Sequence, residues 1–302
     1  MSADEATALH GTVAELAIGE RREGPKHAVV RIELLRGSGI VGDGQAGNGH
    51  RQVSFLAEES RGAAKGTPDS LDDHVRTRGI ALDLLTDGRR LRVGSRAVVQ
   101  VTERQLSRVF ARVLRGGEVN LGDVIATDPT FDRPRFAVLT LSDRSAAGTR
   151  PDESGPLAAR LLGEALRTTP IALDVLADDA TLLTTRMVEL ADDDVCDLIV
   201  TTGGTGLAPR DVTPEATLAA IDREVPGIAE AIRAGGLAKT PFAMLSRGVC
   251  GQRGATLIVN LSGSPKAVRE QLAILMPVLP HVLTTASGVP QTCAVVDADA
   301  QA

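Results

Sequence analysis

The chain has no tryptophan, no tyrosine and only five phenylalanines in 302 residues. Proteins that grip single-stranded nucleic acid stack bases on aromatic rings within a basic groove. Here such rings are few, and the net charge is −6, from 33 basic and 39 acidic residues. Nucleic acid is therefore not an expected partner. Cysteine is almost as scarce. Cys196, Cys250 and Cys293 lie far apart and form no Cys-x-x-Cys pair, which argues against a zinc ribbon or a disulfide framework and suits a reducing compartment. No apolar run reaches the roughly 18–20 residues that a membrane helix needs. The opening MSADEATALHG is polar and acidic, without the basic-then-apolar order of a leader. A cytoplasmic protein with no membrane partner is expected.

What is present divides the chain. Residues 1–133 carry 19 charges of each sign, leaving 14 basic and 20 acidic residues beyond them, so the whole acidic excess lies in the second half. TDPTFDRPR (Thr127–Arg135), with two prolines and mixed charge, is the best linker candidate. We expect a mainly β domain over residues 1–130, an α/β domain over 134–292 and a flexible tail over 293–302. Before the linker, short apolar runs such as HAVVRIELL, RQVSFLA, RLRVGSRAVVQV and GDVIAT are broken by glycines and charges, the grammar of a β barrel. After it, FAVLTLS (Phe136–Ser142), IALDVLA (Ile171–Ala177), DLIVTTG and ATLIVNL (Ala255–Leu261) read as strands. The segments between them have helical spacing, with Leu157, Leu161, Leu162 and Leu166 on one face and Leu183, Met187 and Leu190 on another. Alternating strands and helices imply parallel strands in a three-layer α/β/α domain. Ligands of such sheets gather at the carboxyl ends of the strands.

Those ends carry the chemistry. After the third strand comes TTGGTGLAPRDVTPEAT (Thr201–Thr217). Gly203, Gly204 and Gly206 permit positive φ and a close backbone approach to a ligand. Thr213 reads as an N-cap, Pro214 as the first helical residue and Glu215 as part of the first turn, so unpaired N–H groups are offered to an anion. Asp211 stands just outside that start. A carboxylate beside phosphates is tolerated when a cation lies between them, and Mg²⁺ typically uses one or two carboxylates plus phosphate oxygens. The alternative reading is a glycine-rich turn with an Arg210–Asp211 surface pair; no Gly-Lys-Ser/Thr follows, so the loop is not a P-loop. The other strand ends are SDR (Ser142–Arg144), ADD (Ala177–Asp179) and NLSGSPKAV (Asn260–Val268). One of Asp178 and Asp179 caps the helix that follows, leaving the other for a ligand. Ser264 reads as an N-cap before Pro265, a role compatible with ligand binding.

Together LTLSDRSAAG, DLIVTTGGTGLAPRDVTPEAT, MLSRGV and IVNLSGSPKAV resemble, collinearly over about residues 135–290, the molybdopterin-binding fold of the molybdopterin adenylyltransferase family. The resemblance implies transfer of AMP from Mg-ATP to molybdopterin, giving adenylyl-molybdopterin and pyrophosphate. It also implies a homotrimer and a product used in molybdate insertion, which makes a molybdate-insertion protein a partner. By position it assigns Asp178 and Asp211 to catalysis and Mg²⁺ binding. Gly203, Gly204, Thr205 and Gly206 become the loop for nucleotide and pterin phosphate. Ser142, Asp143 and Arg144 form the first-strand motif, Ser246 and Arg247 help to hold molybdopterin, and Asn260, Gly263 and Ser264 complete the binding set. Ser262 departs from the family's usual proline. A non-catalytic carrier of molybdopterin or its cofactor, or a scaffold, is the alternative; two acids beside a triphosphate site argue against it.

In the first half, GIVGDGQAGNGHRQVSFLAEES (Gly39–Ser60) and FARVLRGGEVNLGDVI (Phe110–Ile125) resemble a molybdenum cofactor sulfurase C-terminal (MOSC) domain, a barrel-like module. Active members often carry sulfur on a cysteine between these elements. Here VTERQLSRV stands in that stretch, with no cysteine before Cys196, and Ser107 cannot replace a thiolate. Sulfur transfer by this half is not expected. His50 and Arg51 are candidates for an anionic ligand, or for a solvated turn.

Overall fold

The computed structural model describes residues 9–21, 25–47, 49, 51–60, 73–105, 108–127, 133–193 and 195–287. The expected tail, Cys293, His50, Ser107 and the middle of the expected linker lie outside the described residues.

In the first half, eleven strands follow one another among the described residues: β1 (His10–Ile18), β2 (His27–Val29), β3 (Arg31–Leu35), β4 (Gly39–Ile40), β5 (Val53–Ala57), β6 (Val75–Arg78), β7 (Arg90–Val93), β8 (Ala97–Gln105), β9 (Arg108–Arg115), β10 (Gly117–Asn120) and β11 (Val124–Thr127). One sheet runs β11-β7-β8-β9-β5-β6-β1-β2 and closes through a β1–β11 pairing, so the half is a barrel; β10, β3 and β4 form a small second sheet. Alternation decides which side chains enter the barrel. In β3, Ile32 and Leu34 are buried while Arg31, Glu33 and Leu35 face out. In β9, Val109, Ala111 and Val113 point inward, joining Phe55, Leu91, Val99 and Val101 in one core.

Beyond it the chain runs β12 (Phe136–Leu141), α1 (Asp143–Ala146), α2 (Ser154–Leu166), β13 (Ala172–Leu176), α3 (Ala180–Asp192), β14 (Leu198–Thr202), α4 (Thr213–Ala220), β15 (Arg223–Glu224), α5 (Pro226–Leu237), β16 (Cys250–Arg253), β17 (Thr256–Leu261), α6 (Pro265–Leu275) and α7 (Leu279–Ala286). The sheet order is β13-β12-β14-β17-β16-β15. β12, β14 and β17 are buried along their whole length, as parallel strands covered on both faces must be. Phe136, Val138, Leu198 and Val200 pack on the side of α2, α5, α6 and α7. Ala137, Leu139, Ile199 and Ile258 pack on the side of α3 and α4. This is the expected three-layer arrangement, with one correction: not every strand is parallel. β16 runs antiparallel to β17, and β15 to β16. Both are short and polar and carry little of the apolar signal by which strands are read. From β12 the chain passes first to β13 on one side and then to β14 on the other. A crevice therefore opens at the carboxyl ends of β12 and β14.

The halves meet through paired charge and a small apolar contact. Arg90 reaches Asp197 in a buried ion pair, Nη1 lying 3.2 Å from Oδ2. Arg36 pairs with Asp192, and Val98 and Leu114 pack on Val195.

Candidate active site

The crevice holds a cavity of about 380 Å³. At the end of β12, Ser142 caps α1, its Oγ accepting the Ser145 N–H at 3.2 Å. At the end of β13, Asp179 caps α3 by accepting the Leu182 N–H at 2.9 Å. That leaves Asp178 to face the cavity. The two strand ends are laced together: the Asp143 N–H donates to Asp178 Oδ2 at 3.3 Å, and the Asp178 N–H donates to Asp143 Oδ1 at 3.1 Å. Arg210 reaches across from the glycine loop to pair with Asp143.

Burial raises the Asp178 carboxyl above the ordinary aspartate range. The Asp143 N–H and Arg210 oppose that shift, while the Asp143 and Asp211 charges add to it. Three carboxylates thus converge electrostatically, and a cation or an arginine has to balance them. Among the described residues no three His, Cys, Asp or Glu side chains are placed to hold a metal ion alone.

Glycine at two loop positions follows from contacts. Gly203 has φ +98° and Gly204 φ +62°. A Cβ on the first would collide with the Leu141 carbonyl, and one on the second with the Thr213 hydroxyl. Here the expected cap is corrected. Val212, not Thr213, occupies the N-cap of α4, and no side chain caps it. The Thr213 hydroxyl instead donates to the Gly203 carbonyl at 2.8 Å, tying the helix start to the loop. Asp211 Oδ2 accepts the Ala208 N–H at 2.8 Å and so shapes the turn between them.

Ser142, Asp143, Arg144, Asp178, Gly204, Asp211 and Gly263 all border the cavity. Gly263 also presses on Gly203, with 3.0 Å between its would-be Cβ and the Gly203 Cα. Ser264 caps α6, accepting the Ala267 N–H at 3.2 Å. Thr205 is buried beside them. Ser246 and Arg247 border a separate depression with Arg233 and Cys250. Arg247 reaches the glycine loop by another route, donating from Nε to the Gly206 carbonyl at 2.7 Å. Asn260 is committed internally: its amide donates to Thr201 Oγ1 at 3.0 Å and Thr217 Oγ1 at 2.8 Å and accepts from the Val249 N–H at 3.1 Å. Ser262 uses the N–H that a proline would lack, donating to Gln271 Oε1 at 2.8 Å, while Gln271 donates back to Ser262 Oγ at 2.9 Å. A hydrogen-bonded pair thus holds the loop that elsewhere a ring would restrict. Cys196 and Cys250 are buried, and burial pushes the Cys250 thiol up to about 12. In the first half, Arg51 pairs with Glu103, Nη2 to Oε1 at 2.5 Å, and stacks on Phe110.

Reading by strand ends missed Arg150 and Asp152, which border the same cavity. Asp152 accepts from the Thr140 hydroxyl at 2.7 Å and from the N–H groups of Ser154 and Gly155 at 3.0 and 3.1 Å. The signal was available: an aspartate two residues before a helix that begins Ser-Gly-Pro is a local capping pattern.

A family model described as "Probable molybdopterin binding domain" matches residues 137–281. The molybdopterin adenylyltransferase of Helicobacter pylori (strain J99) is 39% identical over 154 residues, 51% of this chain and 88% of that protein. The "Molybdenum cofactor synthesis protein cinnamon" of Drosophila melanogaster is 40% identical over 148 residues; the match spans 49% of this chain but only 25% of that longer protein. Among solved structures, the molybdopterin biosynthesis enzyme MoaB of Thermus thermophilus is 48% identical, covering 52% of this chain and 99% of its own, with a TM-score of 0.49. The glycine loop and the aspartates that face it lie within the matched residues, and through that second half the chain belongs to the molybdopterin adenylyltransferase family.

Proposed function

We propose that this chain transfers AMP from Mg-ATP to molybdopterin in molybdenum cofactor biosynthesis. The observation that carries the reading is the crevice itself. One cavity brings together a left-handed glycine loop, three aspartates from three strand ends, and Arg144, Arg150 and Arg210. An oxygen of the molybdopterin phosphate attacks the α-phosphorus of ATP, the bond to the bridging oxygen breaks, and pyrophosphate leaves. No covalent enzyme intermediate is required. Backbone N–H groups of the loop and the three guanidinium groups take up the charge that builds on the phosphoryl oxygens, so positioning and electrostatics supply most of the rate. Asp178 and Asp211 are the residues that would hold Mg²⁺ with the phosphates, where the ion neutralises charge. Ser246 and Arg247, beside the loop, are assigned to the pterin side, Gly263 and Ser264 to the loop that closes it, and Asn260, near the end of β17, to bracing behind it through Thr201 and Thr217.

The homotrimer, the cytoplasmic location and a molybdate-insertion partner belong to the same reading. So does a MOSC-like identity for the first half, without sulfur transfer. The closed barrel supports that identity, and the lack of any cysteine before Cys196 supports the absence of sulfur transfer. Among the described residues no helix is long and apolar enough to cross a membrane.

The test is pyrophosphate release from Mg-ATP by the full chain, with and without molybdopterin. Release is expected only with molybdopterin. Asp178→Asn and Asp211→Asn should each lower turnover about 100-fold or more, as for loss of a group aimed at transition-state charge, while molybdopterin binding changes little. Tight molybdopterin binding without release would make the chain a carrier. Equal losses of binding and turnover would remove the metal role from these aspartates.

A further inference from the structure

A second cavity, of about 440 Å³, opens where the two halves meet. That size is ordinary for a small-molecule site, which is typically apolar with a few placed polar groups. Its cationic wall is Arg36, Arg90 and Arg112; its apolar wall is Val113, Leu114, Val195 and Ala255. None of these residues serves the crevice described above.

The charges do not cancel. Arg90 is matched by Asp197. Arg36 shares Asp192 with Arg253, which holds it through Nε at 2.9 Å and Nη2 at 2.6 Å; Arg253 also lies 3.9 Å from the exposed Asp222. Among the described residues no carboxylate pairs with Arg112. Its Nε donates to the Gln100 amide oxygen at 3.2 Å, and among the described residues its buried Nη2 has no hydrogen-bond partner. Burial, and then the neighbouring Arg90, draw the Arg112 guanidinium down to about 10; Asp197 opposes this and Arg36 adds to it. A half-buried guanidinium whose amino group is buried without a partner is costly to keep. At a cavity wall it is also a ready donor for an anion's oxygen.

The backbone around the cavity is shaped for close approach. Gly47 and Gly49, from the glycine-rich stretch that begins at Gly39, border it with φ +76° and +50°, and among the described residues no atom outside their chain neighbours lies within 4 Å of a would-be Cβ on either. Gly254, φ +54°, is the position over which the Arg36 guanidinium lies; a Cβ there would collide with it. Val195, a β-branched residue, is held at φ +54° on the apolar wall, a conformation that persists only where the surroundings impose it.

We propose that this interdomain cavity binds a small organic phosphate monoester, its phosphate received by Arg112 between Arg36 and Arg90 and its apolar body laid against Val113, Leu114, Val195 and Ala255. With Arg36, Arg90, Arg112 and Arg253 set against Asp192, Asp197 and Asp222, one guanidinium charge is left over, on Arg112, and its planar fork beside two further guanidinium groups suits the several oxygens of a phosphate better than the two of a carboxylate. The inference does not rest on the adenylyl-transfer reading.

The probe is phenyl phosphate, titrated calorimetrically into the full chain beside inorganic phosphate. One molecule of phenyl phosphate per chain is expected, bound more tightly than inorganic phosphate. Arg112→Met should weaken it about ten- to a hundredfold, the range for a charge-assisted hydrogen bond. The same variant should melt no lower than the parent, because it removes a half-buried charge with no paired carboxylate among the described residues, and should keep molybdopterin-dependent pyrophosphate release. Arg112→Lys, which keeps charge but not the planar fork, should fall between the two. Arg210→Gln, in the other crevice, should leave phenyl phosphate affinity unchanged. Absence of saturable binding, affinity that survives Arg112→Met, or affinity lost in Arg210→Gln would each overturn the proposal. Equal affinity for inorganic phosphate would overturn the apolar half of it.

Discussion

Replacing Arg247 with alanine separates two roles for one side chain. Resemblance places Arg247 against molybdopterin, whereas its bonds brace the glycine loop. Its N–H donates to the Thr205 carbonyl at 2.9 Å, its Nε to the Gly206 carbonyl at 2.7 Å and its Nη2 to the Asp211 carbonyl at 2.5 Å. Its Nη1 pairs with Glu215, but that pair is 35% and 55% exposed and contributes under about 1 kcal/mol. The two side-chain bonds to carbonyls are each worth about 1.5 kcal/mol at the low end for a charged donor. Alanine therefore removes about 3 kcal/mol of loop ordering, which water returning to the carbonyls cuts to about 1.5–2.5 kcal/mol, roughly a ten- to seventyfold drop in the population of the ordered loop. We expect kcat/KM for ATP to fall by that factor, hydrogen exchange across residues 203–211 to accelerate, and the melting temperature to move little. Steady-state kinetics with each substrate varied in turn, together with exchange mass spectrometry, reads all three. A rise confined to the KM for molybdopterin, with loop exchange unchanged, would refute the bracing argument and make Arg247 a ligand contact.

Two further outcomes follow from the geometry. Gly203→Ala puts a methyl group into the Leu141 carbonyl at φ +98°, so urea denaturation should show a loss of about 2–4 kcal/mol; an unchanged midpoint would mean the loop can adopt another path. In the barrel, burial alone would raise the Asp43 carboxyl, but the buried His74, 3.2 Å away, and N–H donors from Gly19 and Gln45 at 2.8 Å hold it at about 2. Because the folded value lies below the unfolded one, this stability is present above about pH 4 and disappears as pH falls towards 2, about 2 kcal/mol in all. Acid unfolding of Asp43→Asn should lack that increment; an identical acid limb would assign the acid sensitivity elsewhere.

Much of the second half was legible because each of its buried strands is a continuous apolar run ending in a polar motif. Phe136–Leu141, Leu198–Thr202 and Thr256–Leu261 need no alternation to be seen, and glycines mark where the backbone must turn. What escaped reading has short-range polar logic. Thr213 looks like a cap by position, but a hydroxyl 2.8 Å from the Gly203 carbonyl does a different job, and only the folded loop brings them together. Asp152 was hidden for the same reason: Thr140, twelve residues earlier, is its partner across the fold. The pairing β15–β16 rests on two residues per strand that carry no periodic signal. In the barrel the alternation of β3 and β9 was visible, yet the closure of β1 on β11 joins residues more than a hundred apart, which no local pattern records.

The acidic excess of the second half has a structural destination. Asp192, Asp193 and Asp197 stand at the carboxyl end of α3 and the entry to β14, and Arg36, Arg90, Arg96 and Arg115 of the barrel converge on them. A helix carboxyl end already carries partial negative charge, so carboxylates there need cations, and the barrel supplies them. The exposed Arg96–Asp193 pair, at 63% and 54%, adds little. The buried Arg90–Asp197 pair is different, because either partner left alone would cost about 3–5 kcal/mol. Asp197 also accepts the Arg135 N–H at 2.9 Å, where the second half begins. It therefore fixes both the start of β12 and the start of β14. Five residues along, roughly 16 Å at 3.3 Å per residue, β14 delivers Gly203 and Gly204 to the crevice. The barrel thus grips the near ends of the two strands whose far ends form the proposed active site. A ligand held by Arg112 between those same arginines would bear on that grip directly.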